Sequence, residues 1–339
     1  MQTLLSRAPG PPETLTLETL PDPVAGLGEA LVRVKACGVN FPDVLIIEDK
    51  YQLLPERPFA PGCEIAGVVE ALAPGVSGLE LGQRVIAYTA FGGMSELLAV
   101  AAERLVPMPE AMPFDEGAAL TMTYGTAHYA LHERGRLPRG ETLLVLGAAG
   151  GVGLAAVELG KAAGARVIAA VSSPDKAAAA RDAGADQALV YPRGPFDREA
   201  AKALSAQFKA ACGPAGADVV FDPVGGDYAE AAIRAIAWNG RFLVVGFPAG
   251  IPRLPLNLVL LKSCNVVGVA WGAVIRDDPE GESLRVRELI ELYDRGLIRP
   301  RVSMRFPLAR GGDAIARLAA REAIGKIVVM TDPPANGQS

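Results

Sequence analysis

Over the first 122 residues, apolar and polar positions alternate in short runs that have the two-residue period of half-buried β-strands. Clusters of Gly and Pro separate these runs, as expected for turns between short strands. The runs cover residues 14–19, 29–36, 67–71, 84–88 and 95–100. We therefore predict a compact all-β unit, a partly open barrel, interrupted by a short helix and a loop within residues 37–52.

From residue 113 onward the spacing of apolar residues changes to that of helices, and one helix is predicted over residues 114–131. Six apolar runs then alternate with helical segments. These six predicted strands cover residues 143–148, 166–171, 188–191, 218–222, 241–246 and 265–270. Strands that alternate with helices in this way predict a doubly wound parallel sheet with helices on both faces, so the overall fold class is α/β.

After residue 271 the pattern changes again. Two amphipathic helices are predicted over residues 284–295 and 312–321, and a strand over residues 326–330. The six strands already complete the parallel sheet, so we expect these elements to return to the first domain. The predicted domains are therefore residues 1–122 with 271–339, and residues 123–270.

Composition limits the function classes. The chain has 339 residues, half of them apolar, and a net charge of −5, which argues against nucleic-acid partners and anionic membranes. No run of about 18 uncharged apolar residues predicts a membrane span. No signal peptide is recognised, and the four cysteines form no CxxC pair, so we expect free thiols in a reducing cytoplasm. The last eight residues, DPPANGQS, are expected to be a frayed tail.

A glycine-rich loop follows the first strand of the predicted parallel sheet and opens a helix. Its pattern is A-x-G-x-x-G, with Ala148 where the first glycine of a dinucleotide loop usually stands. Without a Cβ, Gly150 and Gly151 let the backbone approach a pyrophosphate, and Gly153 lets the helix pack on the strand. The predicted cofactor-binding loop comprises Ala149, Gly150, Gly151, Val152 and Gly153.

The end of the second strand selects the cofactor. A fold selective for NAD usually has an acid about 20 residues after the loop, bound to the ribose 2′-hydroxyl. Here the position holds Ser172, followed by Ser173 and, in the next helix, Lys176. Hydroxyls and an ammonium accept a 2′-phosphate, so we predict NADPH rather than NADH. Asp175 is interpreted as a first-turn helix acid, and a solvated helix lysine remains an alternative for Lys176.

Several segments together resemble the medium-chain dehydrogenase/reductase superfamily, and specifically its zinc-free NADPH:quinone oxidoreductase (zeta-crystallin-like) branch. The resemblance covers nearly the whole chain. Its main stretches are ACGVNFPD at 36–43, PGCEIAGVV at 61–69, GAAGGVG at 147–153, DVVFDPVGG at 218–226, GRFLVVGF at 240–247 and GKIVV at 325–329. The resemblance implies a GroES-like β-barrel catalytic domain and a Rossmann domain, with the active site in the cleft between them.

The resemblance also bears on metals. Zinc-containing relatives have Cys and His at two of these motifs, where this chain has Asn40 and Cys63, and residues 121–126 contain no Cys. One thiol cannot build a zinc site, which needs three protein ligands, so no metal is predicted. Asp43 and Glu64 would then bind backbone or shape the pocket. His128 and His132, four residues apart on a helix face, are interpreted as packed or solvated side chains.

Hydride transfer to a quinone places negative charge on an oxygen, and without zinc a hydrogen-bond donor must stabilise it. By resemblance the catalytic candidates are Asn40, Tyr51 and Thr126, although Tyr51 is equally well explained as an ordinary loop tyrosine. The resemblance also places further residues along the cofactor. These are Tyr191 beside the 2′-phosphate, then Val224, Gly246, Phe247 and Lys326. An ordinary strand-edge lysine remains an alternative for Lys326.

Three functions remain open from the sequence. The first is a zinc-independent, NADPH-dependent reductase of quinones or related small conjugated carbonyls. The second is an enoyl-thioester or 2-alkenal double-bond reductase on the same fold, and the third is an NADPH-binding protein with little turnover. By resemblance, and because residues 265–270 would leave a flat apolar strand at a sheet edge, we also predict a homodimer.

Overall fold

A computed structural model describes residues 1–331 of the chain, and the frayed tail predicted at 332–339 lies outside them. The described residues form two compact units. The first unit contains Met1–Met122, Ile275–Glu291 and the chain from Arg299 onward. The second contains Thr123–Val274 and Leu292–Ile298.

Fifteen β-strands occur within residues 1–331. In chain order, β1 to β15 are Gln2–Leu5, Thr16–Thr19, Glu29–Val39, Glu64–Leu72, Arg84–Tyr88, Leu97–Ala101, Val106–Pro107, Thr142–Leu146, Arg166–Val171, Gln187–Val190, Ala217–Asp222, Ile236–Val244, Asn265–Gly268, Val302–Pro307 and Lys326–Met330. The sequence patterns therefore placed most strands to within a few residues. They missed β1, β7 and β14, of which β7 has only two residues and β14 is half-exposed along its length.

Eleven α-helices occur in the same range. In chain order, α1 to α11 are Phe41–Ile46, Phe114–Gly117, Thr123–His128, Gly151–Ala162, Pro174–Asp182, Arg198–Cys212, Gly226–Ala232, Leu256–Lys262, Trp271–Asp277, Pro279–Asp294 and Gly311–Ala319. A π-helical turn, Tyr129–Arg134, continues α3. Of these helices, α9 was not predicted. No helix in the described part of the chain is both long and apolar enough to cross a membrane.

The single helix predicted over residues 114–131 is wrong, because the structure divides it into α2 and α3 with turns between them. The cause is a side chain from elsewhere in the first unit. The Oε2 atom of Glu64 accepts hydrogen bonds from the Thr121 hydroxyl and the Met122 main-chain N–H, both at 2.9 Å. This N–H therefore donates to a carboxylate at the break between α2 and α3.

The first unit is built on a sheet with the strand order β14-β15-β3-β4-β5-β7, and β6 pairs with β3 outside this path. Its strands pair antiparallel except β14 with β15. Alternate residues of β3, including Val32 and Val34, point into a core that Ile65 and Ile327 also enter. This arrangement confirms the predicted all-β unit, and it is the GroES-like part of the fold.

The second unit is a six-stranded parallel sheet with the order β10-β9-β8-β11-β12-β13. The chain starts at β8, moves outward to β10, and then returns to add β11 on the other side of β8. This reversal makes the β8–β11 junction the topological switch point, where ligands bind beyond the carboxyl ends of the strands. The predicted doubly wound Rossmann sheet, and with it the α/β class, is confirmed.

The unit boundaries differ in one respect from the predicted domains. The sequence-based division placed all of residues 271–339 with the β-unit, whereas residues 271–274 and 292–298 lie in the second unit. The buried Trp271 accounts for part of this difference. A Cβ on Gly125 would lie 2.6 Å from the Trp271 ring, and the ring centroids of Tyr129 and Trp271 are 5.8 Å apart. The tryptophan therefore packs directly on α3 and its extension.

Candidate active site

The loop after β8 and the start of α4 form an anion-binding cradle in the second unit. Gly150 is the N-cap of α4 without any side-chain capping bond, so the first-turn N–H groups are available to a ligand. A Cβ on Gly153 would lie 2.3 Å from the Gly147 carbonyl oxygen, so only glycine allows α4 to pack here. A Cβ on Gly150 would meet only that same oxygen, at 3.5 Å, which leaves space above the loop.

The structure places the other predicted loop residues in the same cradle. Ala149 is buried, Gly151 and Val152 are half-buried, and Gly150 is exposed. The loop backbone thus faces outward while the small side chain of Ala149 packs inward. Anion recognition here comes from main-chain N–H groups and the positive end of a twelve-residue helix, and it does not depend on long side chains.

The predicted 2′-phosphate residues converge at the end of β9. The Lys176 ammonium donates to the Ser172 hydroxyl at 3.5 Å, and the Ser173 hydroxyl caps α5 by accepting from the Lys176 N–H at 3.4 Å. Asp175 lies in the first turn of α5 and is exposed, as a helix acid would be. Two hydroxyls and one ammonium therefore occupy the position where an NAD-selective fold presents a carboxylate.

Tyr191 joins this group from the neighbouring strand. Its main-chain N–H donates to the Val171 carbonyl at 2.9 Å, which sets the residue beside the end of β9. Its ring is 6 % exposed and contacts the rings of Phe208 and Tyr228. Packing thus holds Tyr191 in place, one residue beyond the paired positions Val190 and Val171 of β10 and β9.

The turns after β11 and β12 bring Val224, Gly246 and Phe247 to the same edge of the sheet. A Cβ on Gly147 would lie 2.8 Å from a methyl group of Val224, so Val224 covers the start of the glycine loop. Phe247 is half-exposed and packs on Gly225, where a Cβ would lie 2.5 Å from that of Phe247. All three predicted residues therefore lie at the carboxyl ends of the strands.

Asp222, the last residue of β11, links these two turns, and the sequence reading did not single it out. Its Oδ1 accepts from the N–H groups of Val224 and Gly225 at 2.9 Å, and its main-chain oxygen accepts from Val245 and Gly246. The side chain is 1 % exposed, and burial raises its pKa to about 6. The sequence signal that could have identified Asp222 is a polar residue at the end of a buried parallel strand.

The first unit contains a buried polar cluster, which we define as Asn40, Glu64, Thr121 and Lys326. The Lys326 ammonium donates to Glu64 Oε1 at 2.6 Å, to Asn40 Oδ1 at 2.7 Å and to the Val39 carbonyl at 2.9 Å. Lys326 is 4 % exposed and Glu64 is 0 % exposed. The cluster joins the end of β3, the start of β4, the segment before α3 and the start of β15.

These contacts engage Lys326 inside the first unit, whereas the sequence predicted a contact with the cofactor. An ammonium has three hydrogens, and all three are donated within the first unit. The side chain is also buried, which a strand-edge lysine would not be. The sequence places Lys326 at the start of a strand but contains no sign that its partner is Glu64, 262 residues away.

Asn40 is also held by its neighbours. Its amide nitrogen donates to Glu64 Oε1 at 2.8 Å and to the Gly38 carbonyl at 3.2 Å, and it lies 3.4 Å from the Cys63 sulfur. Both amide hydrogens are therefore engaged, which argues against the predicted direct donation to a substrate. Asp43 closes the turn by accepting from the N–H groups of Asn40 and Gly62, as the backbone-binding role expected for it requires.

The other catalytic candidates lie in different units. Tyr51 belongs to the first unit, in the loop after α1, where it is half-buried against the core of the β-sheet. Burial, followed by the nearby Cys63 and Asp43, raises the pKa of its phenol, which therefore stays protonated and able to donate at neutral pH. Thr126 lies in α3 of the second unit and is half-buried.

The donor set near Asn40 and Cys63 does not fit a metal ion. Burial raises the pKa of the Cys63 thiol well above its usual range. The amide nitrogen of Asn40, which lies 3.4 Å from the Cys63 sulfur, has no lone pair to offer a metal ion. Both oxygens of Glu64 already accept hydrogen bonds, one of them from an ammonium. Within residues 1–331, no group of three or more His, Cys, Asp or Glu side chains could hold a metal ion.

The two histidines are neighbours on one helix face, as their spacing indicates. The ring centroids of His128 and His132 are 4.4 Å apart, and His128 is buried. The interpretation of His128 as a packed histidine therefore agrees with its surroundings.

Comparisons with known proteins agree with this architecture. Residues 26–110 match the family model described as an alcohol dehydrogenase GroES-like domain, and residues 151–292 match that of a zinc-binding dehydrogenase. A quinone oxidoreductase-like protein 2 homolog from Nematostella vectensis is 36 % identical over 310 residues, covering 90 % of this chain and 82 % of that protein.

Two solved structures extend the likeness to three dimensions. A probable oxidoreductase from Mycobacterium abscessus is 38 % identical, with a TM-score of 0.85 over 98 % of this chain and 99 % of that one. Quinone oxidoreductase from Escherichia coli, in a complex with NADPH, is 28 % identical, with a TM-score of 0.88 over 98 % and 100 % of the two chains. The chain therefore belongs to the medium-chain dehydrogenase/reductase superfamily, in its quinone oxidoreductase branch.

Proposed function

We propose that the protein is an NADPH-dependent reductase of quinones or related conjugated carbonyls that works without a metal. One observation supports the choice of cofactor most directly, namely the convergence of Ser172, Ser173 and Lys176 beyond β9. The NADPH complex of the Escherichia coli relative points to the same cofactor. NADPH, when bound, supplies a hydride to the acceptor.

The residues of the second unit bind and orient the cofactor in this proposal. The N–H groups at the start of α4 bind the pyrophosphate, and Gly150 and Gly151 leave room for it. The Lys176 ammonium and the Ser172 hydroxyl bind the 2′-phosphate, with Tyr191 beside them. Val224, Gly246 and Phe247 bound the path toward the nicotinamide, and Asp222 holds their turns in register.

Reduction of a carbonyl or quinone places negative charge on an acceptor oxygen. We assign the stabilising hydrogen bond to the Tyr51 phenol, because its raised pKa keeps the proton at neutral pH. Thr126 remains a candidate for a second hydroxyl donor. We assign no hydrogen bond to the acceptor to Asn40, because its amide hydrogens are already donated to Gly38 and Glu64. Its role in this proposal is to hold Glu64 and the neighbouring Cys63 in place.

In this proposal the reaction needs no metal ion, because the side chains near Asn40 are poor metal ligands. A catalytic zinc needs three ligands that carry lone pairs, and near Asn40 the chain offers an amide, a protonated thiol and a carboxylate paired with an ammonium. The four free cysteines are all buried and would suit a reducing compartment such as the cytoplasm.

The test is NADPH oxidation, followed optically, with a panel of small quinones and a separate panel of enoyl thioesters and 2-alkenals. NADH is measured in parallel, and a chelator is present in half of the samples. We expect rapid quinone-dependent loss of NADPH that the chelator does not change. Turnover only with thioesters or alkenals would contradict the quinone assignment, and tight NADPH binding without turnover would contradict a catalytic role.

We also propose that two copies associate through β13. This strand is the last in the parallel sheet, and three of its four residues are exposed, including Val266 at 41 %. An open apolar edge strand is an aggregation hazard that pairing with a second copy removes. The neighbouring helix α8 adds three exposed leucines to the same region of the chain, Leu256, Leu260 and Leu261.

A further inference from the structure

The first unit contains an ion pair of Lys326 and Glu64 that is buried on both sides. The two charged atoms are 2.6 Å apart, and both side chains are almost completely removed from solvent. Burying an ammonium or a carboxylate is costly unless each is paired and hydrogen-bonded. Here each charge has several hydrogen-bond partners, so the buried pair is an integral part of the structure of the first unit.

Each member of the pair positions other groups. The ammonium binds Asn40 Oδ1 and the Val39 carbonyl, which fixes the end of β3. The carboxylate binds the Asn40 amide through one oxygen, and Thr121 and Met122 through the other. Removing the ammonium would leave a buried carboxylate uncompensated and would free the Asn40 amide to turn.

A divalent ion is incompatible with this arrangement. It would have to approach Glu64 within a few ångströms of an ammonium, and like charges repel strongly in a medium of low dielectric constant. The amide of Asn40 is a poor replacement for a thiolate ligand, and its nitrogen lies 3.4 Å from the Cys63 sulfur.

We propose that Lys326 is a positioning residue that takes the place of a metal ion as the fixed cation of the first unit. This inference rests on the proposed function. The Lys326 ammonium donates to Glu64 and to Asn40 Oδ1, and the Asn40 amide nitrogen lies 3.4 Å from the Cys63 sulfur. The main-chain N–H of Asn40 donates to a second buried carboxylate, Asp43, at 2.7 Å. Because reduction builds negative charge on the acceptor oxygen, the ammonium lowers the barrier by offsetting these carboxylates.

The experiment uses the full-length variant Lys326→Ala, which keeps Cβ and leaves room for propylammonium. We expect kcat with a quinone to fall about tenfold or more while KM for NADPH changes less than about twofold. Propylammonium should restore kcat in a saturable manner, whereas sodium and zinc salts should not. Lys161→Ala, which removes a partly exposed lysine paired with Asp186 in the second unit, is the matched control.

A thermal-shift measurement tests the same proposal without turnover. Propylammonium should raise the Tm of Lys326→Ala but not that of the wild type or Lys161→Ala. This readout stays informative even if the wild type reduces no quinone, so failure of the inference and failure of the proposed function are distinguishable. An unchanged kcat in Lys326→Ala would overturn the positioning role. The role would also be overturned if KM for NADPH rose by the same factor by which kcat/KM for the quinone fell.

A second variant covers the case in which Lys326→Ala does not fold. The double variant Glu64→Gln/Lys326→Met replaces the ion pair with neutral side chains of similar size, which often preserves stability. We expect it to fold and to regain only part of the quinone kcat that Lys326→Ala loses, because one of the two buried carboxylates is gone. It should show no response to propylammonium, because the partner of the ammonium is absent. Rescue of the double variant by propylammonium, or wild-type kcat in its absence, would refute the assignment.

Discussion

The two units bind and position charge in different ways. At the carboxyl ends of the parallel strands, main-chain N–H groups, small residues and the end of a helix create the anion cradle, and its residues are close in sequence. In the buried polar cluster, four side chains from four distant segments meet, and one pair is 262 residues apart. The residues of the anion cradle are neighbours in the sequence, whereas those of the buried polar cluster meet only when distant segments pack together.

Gly153 provides the strongest test of the locally coded site. A methyl group there would lie 2.3 Å from the Gly147 oxygen, so Gly153→Ala must displace α4 or the loop. We expect a loss of roughly 1–3 kcal/mol in stability and a large rise in KM for NADPH. Chemical denaturation and NADPH titration measure the two effects.

Gly150→Ala is the matched comparison, because its added methyl meets only one atom at 3.5 Å. It should keep wild-type stability and still weaken NADPH binding, since the methyl points into the space left for the ligand. An equal loss of stability in both variants would contradict the conclusion that Gly153 is needed for packing whereas Gly150 leaves room for the ligand.

Reversing a charge beyond β9 should change the cofactor preference. In Lys176→Glu the carboxylate would repel a 2′-phosphate, so we expect kcat/KM with NADPH to fall about 10- to 100-fold relative to NADH. Steady-state kinetics with both cofactors measures this ratio. Lys209→Glu, at an exposed position in the last turn of α6, should leave it unchanged. An unchanged ratio in Lys176→Glu would remove the main support for NADPH.

The raised pKa of Asp222 predicts that the stability of the protein depends on pH, and this effect is smaller than the preceding ones. Burial raises its folded-state pKa from 3.8 to about 6, so the folded protein binds the proton more tightly than the unfolded chain does. Its contribution to stability is therefore complete below about pH 4 and is lost as the pH rises through about 6. Asp222→Asn keeps the acceptor for Val224 and Gly225 and should flatten the decline in Tm across this range.

Asp43 and Glu282 contribute slopes of the same sign, because burial raises the pKa of Asp43 to about 6 and that of Glu282 to about 7. Asp222→Asn should therefore remove only part of the decline between pH 4 and pH 7. A Tm profile identical to that of the wild type would show that Asp222 does not carry a raised pKa.

The smallest expected effect concerns association. Val266→Lys places a charge on the exposed β13 edge, so it should prevent the proposed association of two copies with little change in the Tm of the single chain. Light scattering at several concentrations reads the mass directly. A monomeric wild type, or a dimeric Val266→Lys, would contradict pairing through this strand.

Much of the fold was accessible from the sequence because its signals are local. Alternation with a period of two predicted most strands of the first sheet, and β15 was placed at its observed bounds. The helix predicted over residues 114–131 failed because Glu64, from a distant strand, captures the Met122 N–H. The short β7 and the half-exposed β14 carry too little periodicity to be recognised.

The candidate site divides in the same way. Ser172, Ser173 and Lys176 are in contact beyond β9. The glycine loop follows the adjacent parallel strand β8, whose carboxyl end lies at the same edge of the sheet. Lys326 and Asn40 were read as ligand contacts on motif similarity, and the structure instead satisfies their hydrogens internally. Asp222 was overlooked because its role requires knowing which two turns are neighbours.

The sequence by itself determined the order of strands and helices, the dinucleotide loop and the absence of a carboxylate at the end of β9, because each depends on neighbouring residues. Only the tertiary structure decided that Lys326 is buried against Glu64 and that Asn40 has no hydrogen left to donate. The physical reason is that a buried charge is stable only beside its partner, and the choice of partner depends on which distant strands become adjacent.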